Sequence, residues 1–324
     1  MNRINIMAPT RSLEMSRYQC DARANELYLG LDSGAISEEF LNFTFNGRYN
    51  KMDGVSCQID SVDDLHKVIR YIHGRGVKVN YTANIHYLSH DFQKEFDEYI
   101  EAGVDAGADY LIVSNLGIIQ YLRKRGYTLP IVAGVFLVTP NVEQTKLLAD
   151  LGVERVVLPQ GVTLKEIAMF KEKSPLEIEM FGHFGGGNNC GRCMLLHSPT
   201  INDIGPGCRA AYDIIIEDEK EDEKNYFLDA AADCSLCTLP ELMEAGIDVI
   251  KIVGRESNNS FVNSKITEFY KIFQDYALDG MTVPQIKKRF MNEELIWSSI
   301  WRPRFCEKKR CRFRPTNITK SYIV

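Results

Sequence analysis

The sequence predicts a (β/α)8 barrel of the TIM type with a cysteine-rich insertion after its seventh strand. Three observations carry that prediction. Eight short apolar runs have β composition, most of the intervals between them have helical spacing, and two intervals are too long for a bare crossover. The runs are residues 4–9, 26–30, 77–84, 110–115, 129–136, 155–160, 176–183 and 248–255, all but the fifth closed by Gly, Pro, Asn or a polar residue. Runs of this kind suit strands buried on both faces, as in a parallel sheet. A doubly wound open sheet is the alternative, and the count of eight favours the barrel.

The intervals justify the crossovers in turn. Residues 62–76, 91–107, 117–126, 141–152 and 163–173 repeat apolar positions at helical spacing, and several end at a glycine. Residues 240–246 form a last helix before the eighth run. The long intervals are 31–61, after the second run, and 184–247, after the seventh. Loops that follow strands lie on the C-terminal face of a barrel, where active sites are built. The barrel is expected over residues 1–275, with a helical segment and basic tail over 276–324. The charge run 217–224 reads as a solvated hairpin tip between strands at 213–216 and 225–228.

Composition narrows the function. Apolar residues make up 45% and charged residues 25%, an ordinary globular balance that excludes a wholly disordered chain. A net charge of -6 argues against generic nucleic-acid binding, although a local basic patch could still serve it. No apolar run approaches the ~20 residues needed to cross a bilayer. The first residues have no apolar core of a signal peptide, so a cytoplasmic protein is expected.

Nine cysteines in such a chain need a reason, because a reducing compartment disfavours disulfides. Cys190, Cys193, Cys208, Cys234 and Cys237 fall within 48 residues of the long insertion. They include two C-x-x-C pairs and a cysteine after a Gly-Pro-Gly turn. Such pairs can hold zinc or an iron–sulfur cluster, and isolated cysteines are often inert small hydrophobes. Drawn from three points of a barrel-top loop beside Gly185–Gly187, they favour the cluster. Cys20 and Cys57 stand alone. Cys306 and Cys311 lie in a basic, aromatic stretch that reads foremost as an exposed tail. Nucleic-acid contact, or thiols that approach the cluster, are its sharper readings.

Other candidates sit at predicted strand ends. His183 closes the seventh run and could move a proton or simply orient its loop. Arg255 ends the eighth run and offers a forked donor for a carboxylate or phosphate, or a salt bridge to Glu256. Asn84 and Asn115 end the third and fourth runs, where they could bind substrate or cap loops. His197 and Asp32 are weaker candidates. No G-x-S-x-G, H-E-x-x-H or strand-following G-x-G-x-x-G is present.

These segments resemble the U-32 peptidase family, also called collagenase-like peptidases. The resemblance rests on His183, Gly191-Arg192-Cys193, Cys208-Arg209, the stretch from Leu242 through Ala245-Gly246-Ile247-Asp248, and Lys251-Ile252-Val253-Gly254-Arg255. It covers residues 4 to about 275, with similar N-terminal segments. It implies a barrel with a 4Fe–4S cluster on four cysteines. Cys193 and Cys208 carry over directly, and Cys190 replaces a cysteine that usually lies closer to the His-Gly, where Gly187 stands. Cys234 or Cys237 supplies the fourth ligand, with counting back from Pro240 favouring Cys234. Some relatives are described as proteases. Others are oxygen-independent hydroxylases of tRNA, ribosomal RNA or ubiquinone precursors, with prephenate implicated as oxygen donor. Gly134-Val135-Phe136 and Gln160-Gly161-Val162 depart from polar family segments, so the substrate is expected to differ. The leading expectation is therefore an iron–sulfur enzyme hydroxylating a small molecule, peptide or RNA. A peptidase is the alternative, as is a non-catalytic cluster-bearing subunit with a heteromeric partner of the same family.

Overall fold

The computed structural model describes residues 2–43, 51–52, 55–85, 88–183, 213, 215–216, 219–220 and 233–313. Eight parallel strands close into a barrel: β1 (Asn5–Pro9), β2 (Glu26–Leu29), β3 (Lys78–Ala83), β4 (Tyr110–Val113), β5 (Ile131–Ala133), β6 (Val153–Val157), β7 (Glu177–Phe181) and β8 (Val249–Lys251). Closure is made by β1, which pairs with β8 through Asn5↔Val249 and with β2 through Met7↔Glu26. The open-sheet alternative is thereby removed.

The crossover helices are α1 (Leu13–Asp21), α2 (Val62–Gly74), α3 (Gln93–Asp105), α4 (Leu116–Lys124), α5 (Val142–Asp150), α6 (Leu164–Lys173), α7 (Leu239–Ala245) and α8 (Ser260–Leu278), and a further short helix, Glu38–Phe43, lies between β2 and α2. Their starts are written locally. Ser61, Asn141 and Asn259 accept N–H bonds from the first turns of α2, α5 and α8. Thr163 and Glu166 form a reciprocal capping box at α6, with Thr163 N to Glu166 Oε2 at 2.7 Å and Glu166 N to Thr163 Oγ1 at 3.2 Å.

Alternation along the strands divides the core in two. Ile6, Leu27, Val79, Leu111, Ile131, Val156, Ile178 and Ile250 face the helices. Met7, Tyr28, Ile112, Val132, Val157 and Val249 form a separate cluster inside the barrel. The interior is not purely apolar, and here the expectation of continuously apolar strands is corrected. On the inward parity, Arg155 grips Glu26 with two bonds of 2.8 and 2.9 Å and also binds Glu177 at 2.8 Å. Asn80 donates to Glu26 at 2.7 Å. Burial would lower the Arg155 pKa, but Glu26, Glu179 and Glu177 raise it above its ordinary value, so the guanidinium stays charged.

Two further expectations change. The fifth run stops as a strand at Ala133, because a Cβ at Gly134 would lie 2.2 Å from Ser114 Oγ and 2.9 Å from Asn84 Oδ1. A tight turn at Val135–Leu137 follows. In the long insertion, Ile215–Ile216 pairs antiparallel with Glu219–Lys220, which puts the second strand inside the charge run itself. The strand expected at 225–228 lies outside the described residues.

Beyond α8 the chain does not trail away as a tail. Helix α9 (Val283–Glu293) and a π-wound helix α10 (Trp297–Cys306) pack back on α8. Trp297, Trp301 and Phe305 are buried, with Phe290 stacked on Trp297 at 5.2 Å and Trp301 against Phe305 at 4.5 Å. The exposed-tail reading of Cys306 and Cys311 is corrected accordingly. Arg312 donates to Phe181 O and to Gln160 O (3.1 Å), which pins the segment across the ends of β6 and β7.

Candidate active site

The C-terminal ends of the strands gather the polar residues. Arg255, on the loop after β8, is 3% exposed and reaches back across the barrel mouth. Its Nη1 donates to Gln58 Oε1 at 2.7 Å and to Thr82 Oγ1 at 3.3 Å, and its guanidinium lies 5.4 Å from the Tyr28 ring centroid. Gln58 is delivered by the interval after β2, whose return strand is fixed by Ile59 N to Gly30 O (2.8 Å) and Asp32 N to Ile59 O (2.7 Å). Gly30 makes this convergence sterically possible. A Cβ there would lie 2.4 Å from Thr82 Oγ1, 2.5 Å from Gln58 Oε1 and 3.3 Å from Arg255 Nη1.

Sequence reasoning missed the groups around Arg255. Lys251, inside the Lys-Ile-x-Gly-Arg stretch, places its ammonium 4.3 Å from the same Tyr28 ring and 3.4 Å from Glu179 Oε1. Burial lowers its pKa from the ordinary lysine value, Glu179 opposes that, and Arg255 adds to it. Two cations thus share one aromatic face at the barrel mouth. Inward strand parity is the signal that could have found Lys251, since it follows Val249 at a spacing of two.

The asparagines have local duties. Asn115 accepts from Ile118 N at 3.2 Å and starts α4, and Asn84 accepts from Ser114 Oγ at 2.8 Å. Asp32 accepts from Gly34 N at 2.8 Å and caps a short turn. None of these contacts brings them to Arg255.

His183 lies just beyond the end of the neighbouring strand, β7. Its ring is buried and 5.5 Å from that of Trp301, and Val253 N donates to its Nε2 at 3.3 Å. An accepting Nε2 leaves the ring proton on Nδ1. Burial, with Arg304 adding to it, pushes its pKa down to about 3, so the imidazole is neutral at physiological pH. Its backbone pairs with that of Cys234.

Of the five clustered cysteines, Cys190, Cys193 and Cys208 lie outside the described residues, as does His197. Cys234 is buried beside β7, and Leu236 N donates to its Sγ at 3.4 Å. That N–H···S bond is of the kind that tunes cluster thiolates. Cys237 opens the turn leading into α7. The C-terminal segment then adds two more thiols to this neighbourhood. Cys234 N donates to Arg310 O and Arg312 N to Cys234 O, both at 3.1 Å, so Cys311 runs alongside Cys234. Burial pushes the Cys306 thiol up to about 11, with Cys237 adding to it, and Lys287 opposes the rise. Burial likewise raises Cys234, with Cys237, Cys306 and Cys311 adding to it. Among the described residues, no three His, Cys, Asp or Glu side chains stand in metal-holding geometry.

Comparison with known proteins places this arrangement. The model of the family described as peptidase family U32 matches residues 11–299. The chain is similar to "tRNA hydroxylation protein P1" of Bacillus subtilis (strain 168), with 24% identity over 290 residues, covering 85% of this chain and 64% of that protein. It is also similar to "23S rRNA 5-hydroxycytidine C2501 synthase" of Escherichia coli (strain K12), with 24% identity over 294 residues, covering 86% of this chain and 40% of that one. The chain thus spans less than two thirds of either relative. Among solved structures, "The Structure of the U32 Peptidase Mk0906" aligns at 13% identity and a TM-score of 0.48, covering 78% of this chain and 94% of that one.

Proposed function

Because the chain belongs to peptidase family U32, we propose that it is an iron–sulfur enzyme that hydroxylates a nucleotide of RNA without molecular oxygen. The observation that carries the reading is the placement of Cys234. This residue, its thiol buried, pairs through its backbone with His183 just beyond β7, on the C-terminal face of a closed barrel, in a chain whose relatives bear tRNA and rRNA hydroxylation names. Cys190, Cys193, Cys208 and Cys234 would hold a 4Fe–4S cluster. When bound, the cluster supplies one-electron redox chemistry to a substrate brought beside it.

The chain's own residues do the rest. Arg255, seated by Gln58 and Thr82 at the barrel mouth, binds an anionic group of the RNA or of the oxygen donor. Lys251 adds a second positive charge over Tyr28. His183 stays neutral and accepts the Val253 N–H, so it holds the β7 and β8 loops in register and offers Nδ1–H as its single donor. A cysteine peptidase needs a thiolate beside a protonated imidazole. Here Cys234 and His183 meet through their backbones, the Cys234 Sγ accepts from Leu236 N and the His183 Nε2 from Val253 N, an arrangement that does not favour that reading.

The test is metal analysis with electron paramagnetic resonance on anaerobically purified protein. Wild type is expected to carry iron and sulfide in equal amounts. Cys→Ser changes at Cys193, Cys208 or Cys234 should each lose them, and Cys20→Ser should not. Iron retained in all three variants would overturn the ligand assignment.

A further inference from the structure

A second feature adjoins both His183 and the loop that carries Arg255. A cavity of about 220 Å³ opens between the loop after β8, the first turns of α8 and the π-wound helix α10. His183, Trp301, Phe305, Val262 and Ile300 are among its walls, and Arg304 is at its edge. Trp301 is 3% exposed and buries an indole N–H that no group among the described residues accepts. A buried donor without an acceptor carries a desolvation cost, so a ligand that brings an acceptor gains on binding. Ile300, by contrast, is 44% exposed and marks the way in.

The charge around this cavity differs from that of the whole chain. The chain's net charge is -6, but residues 301–313 carry Arg302, Arg304, Lys308, Lys309, Arg310 and Arg312 against Glu307 alone. Arg304, Lys308 and Lys309 are exposed. An aromatic-walled cavity lined by Arg304 and Glu256, with Lys308 and Lys309 farther along the same segment, joins the two features that bind single-stranded nucleic acid, a stacking surface and nearby cations.

We propose that this cavity receives one unstacked nucleobase of the RNA substrate, set against Trp301 with Arg304 on a neighbouring phosphate. The assignment rests on the RNA reading above and adds the place where the RNA is read. It gives α10 a function, since a π-wound helix is rare and recurs at functional sites. It also explains the position of the cavity. Chemistry on a base requires that base to leave its stack, and His183, on the cavity wall, also pairs through its backbone with Cys234.

The test uses full-length, anaerobically prepared protein carrying Trp297→Phe, which leaves Trp301 as the single tryptophan. The probes are a short single-stranded oligouridylate and an oligomer of equal length built of abasic ribose units. The oligouridylate is expected to change Trp301 fluorescence and to bind on the order of tenfold tighter or more, from stacking of one base. Ile300→Glu, on the exposed rim, should abolish that preference while melting temperature and iron content hold. Arg304→Ala should weaken both oligomers alike. Equal binding of the two oligomers, or a preference that survives Ile300→Glu, would overturn the assignment. RNA hydroxylated to the wild-type level in cells carrying Ile300→Glu would also count against the cavity while sparing the proposed function. Base-dependent binding through this cavity, without any RNA hydroxylation, would support the cavity and count against the function.

Discussion

Arg255 illustrates how one side chain is made specific by its seat. Its Nη1 is fixed by Gln58 and Thr82, and Gly30 leaves the space in which the three meet. Lysine carries the charge but not the fork. Arg255→Lys should therefore weaken binding of the anionic substrate by roughly tenfold, about 1.4 kcal/mol, with the cluster spectrum unchanged. Isothermal titration beside the visible spectrum checks both halves. Cluster loss in this variant would make Arg255 structural. Lys271 offers a separate test. Burial, with Arg23 and Arg3 adding to it, pushes its pKa down from 10.5 to about 8, and it donates to Asn25 Oδ1. The folded state gives up this proton near pH 8, whereas the unfolded chain holds it to about 10.5. Between those limits the unfolded state binds more protons, so this residue's contribution to stability rises with pH. The full shift corresponds to at most about 3 kcal/mol. Denaturant melts at pH 7.5 and pH 10 should show that gain in wild type relative to Lys271→Met. An identical pH response in both proteins would refute the shift. Arg255 was legible as a strand-end cation, but Gln58 was not. A glutamine delivered from a distant insertion leaves no local pattern.

At the scale of elements, legibility followed which faces the elements bury. Helices α2 to α6 bury apolar stripes and were readable from spacing. Helix α1 was not, because its buried face includes Ser16 and Gln19. These meet Thr10 at 2.8 Å and Asn263 at 2.7 Å instead of packing as hydrocarbon. Strand ends were blurred for a related reason. The apolar run 129–136 continues past the strand, and the turn at Gly134 is set by crowding from Ser114 and Asn84. Gly134→Ala should cost about 1–3 kcal/mol through that overpacking, read as a lower denaturation midpoint. An unchanged midpoint would show that Ser114 yields freely. The C-terminal cysteines were misread because a basic, aromatic stretch looks solvated in one dimension. Its aromatic residues point inward, with Trp301 at 5.9 Å from Phe269 and 5.5 Å from His183.

At the scale of the molecule, the barrel and its chemical end were legible because alternation of β and α segments is a global pattern. The charged layer inside the barrel was not, because Glu26, Arg155 and Glu179 sit singly in otherwise apolar runs. That layer ties β2, β6 and β7 together across the interior. A buried ion pair adds little over a hydrocarbon core, but losing one partner strands the other. Glu26→Ala should therefore cost about 3–5 kcal/mol, and a loss below 1 kcal/mol would mean that Glu179 and Glu177 compensate. No helix among the described residues is long and apolar enough to cross a membrane. The central claim is that a cysteine-held cluster at the mouth of this barrel hydroxylates RNA. It is tested most directly by mass spectrometry of nucleosides from tRNA and rRNA, in cells lacking the protein and in cells complemented with wild type or Cys234→Ser. The account predicts one nucleoside that gains a single oxygen with wild type and not with Cys234→Ser. Full restoration by Cys234→Ser, or identical nucleosides with and without the protein, would contradict it.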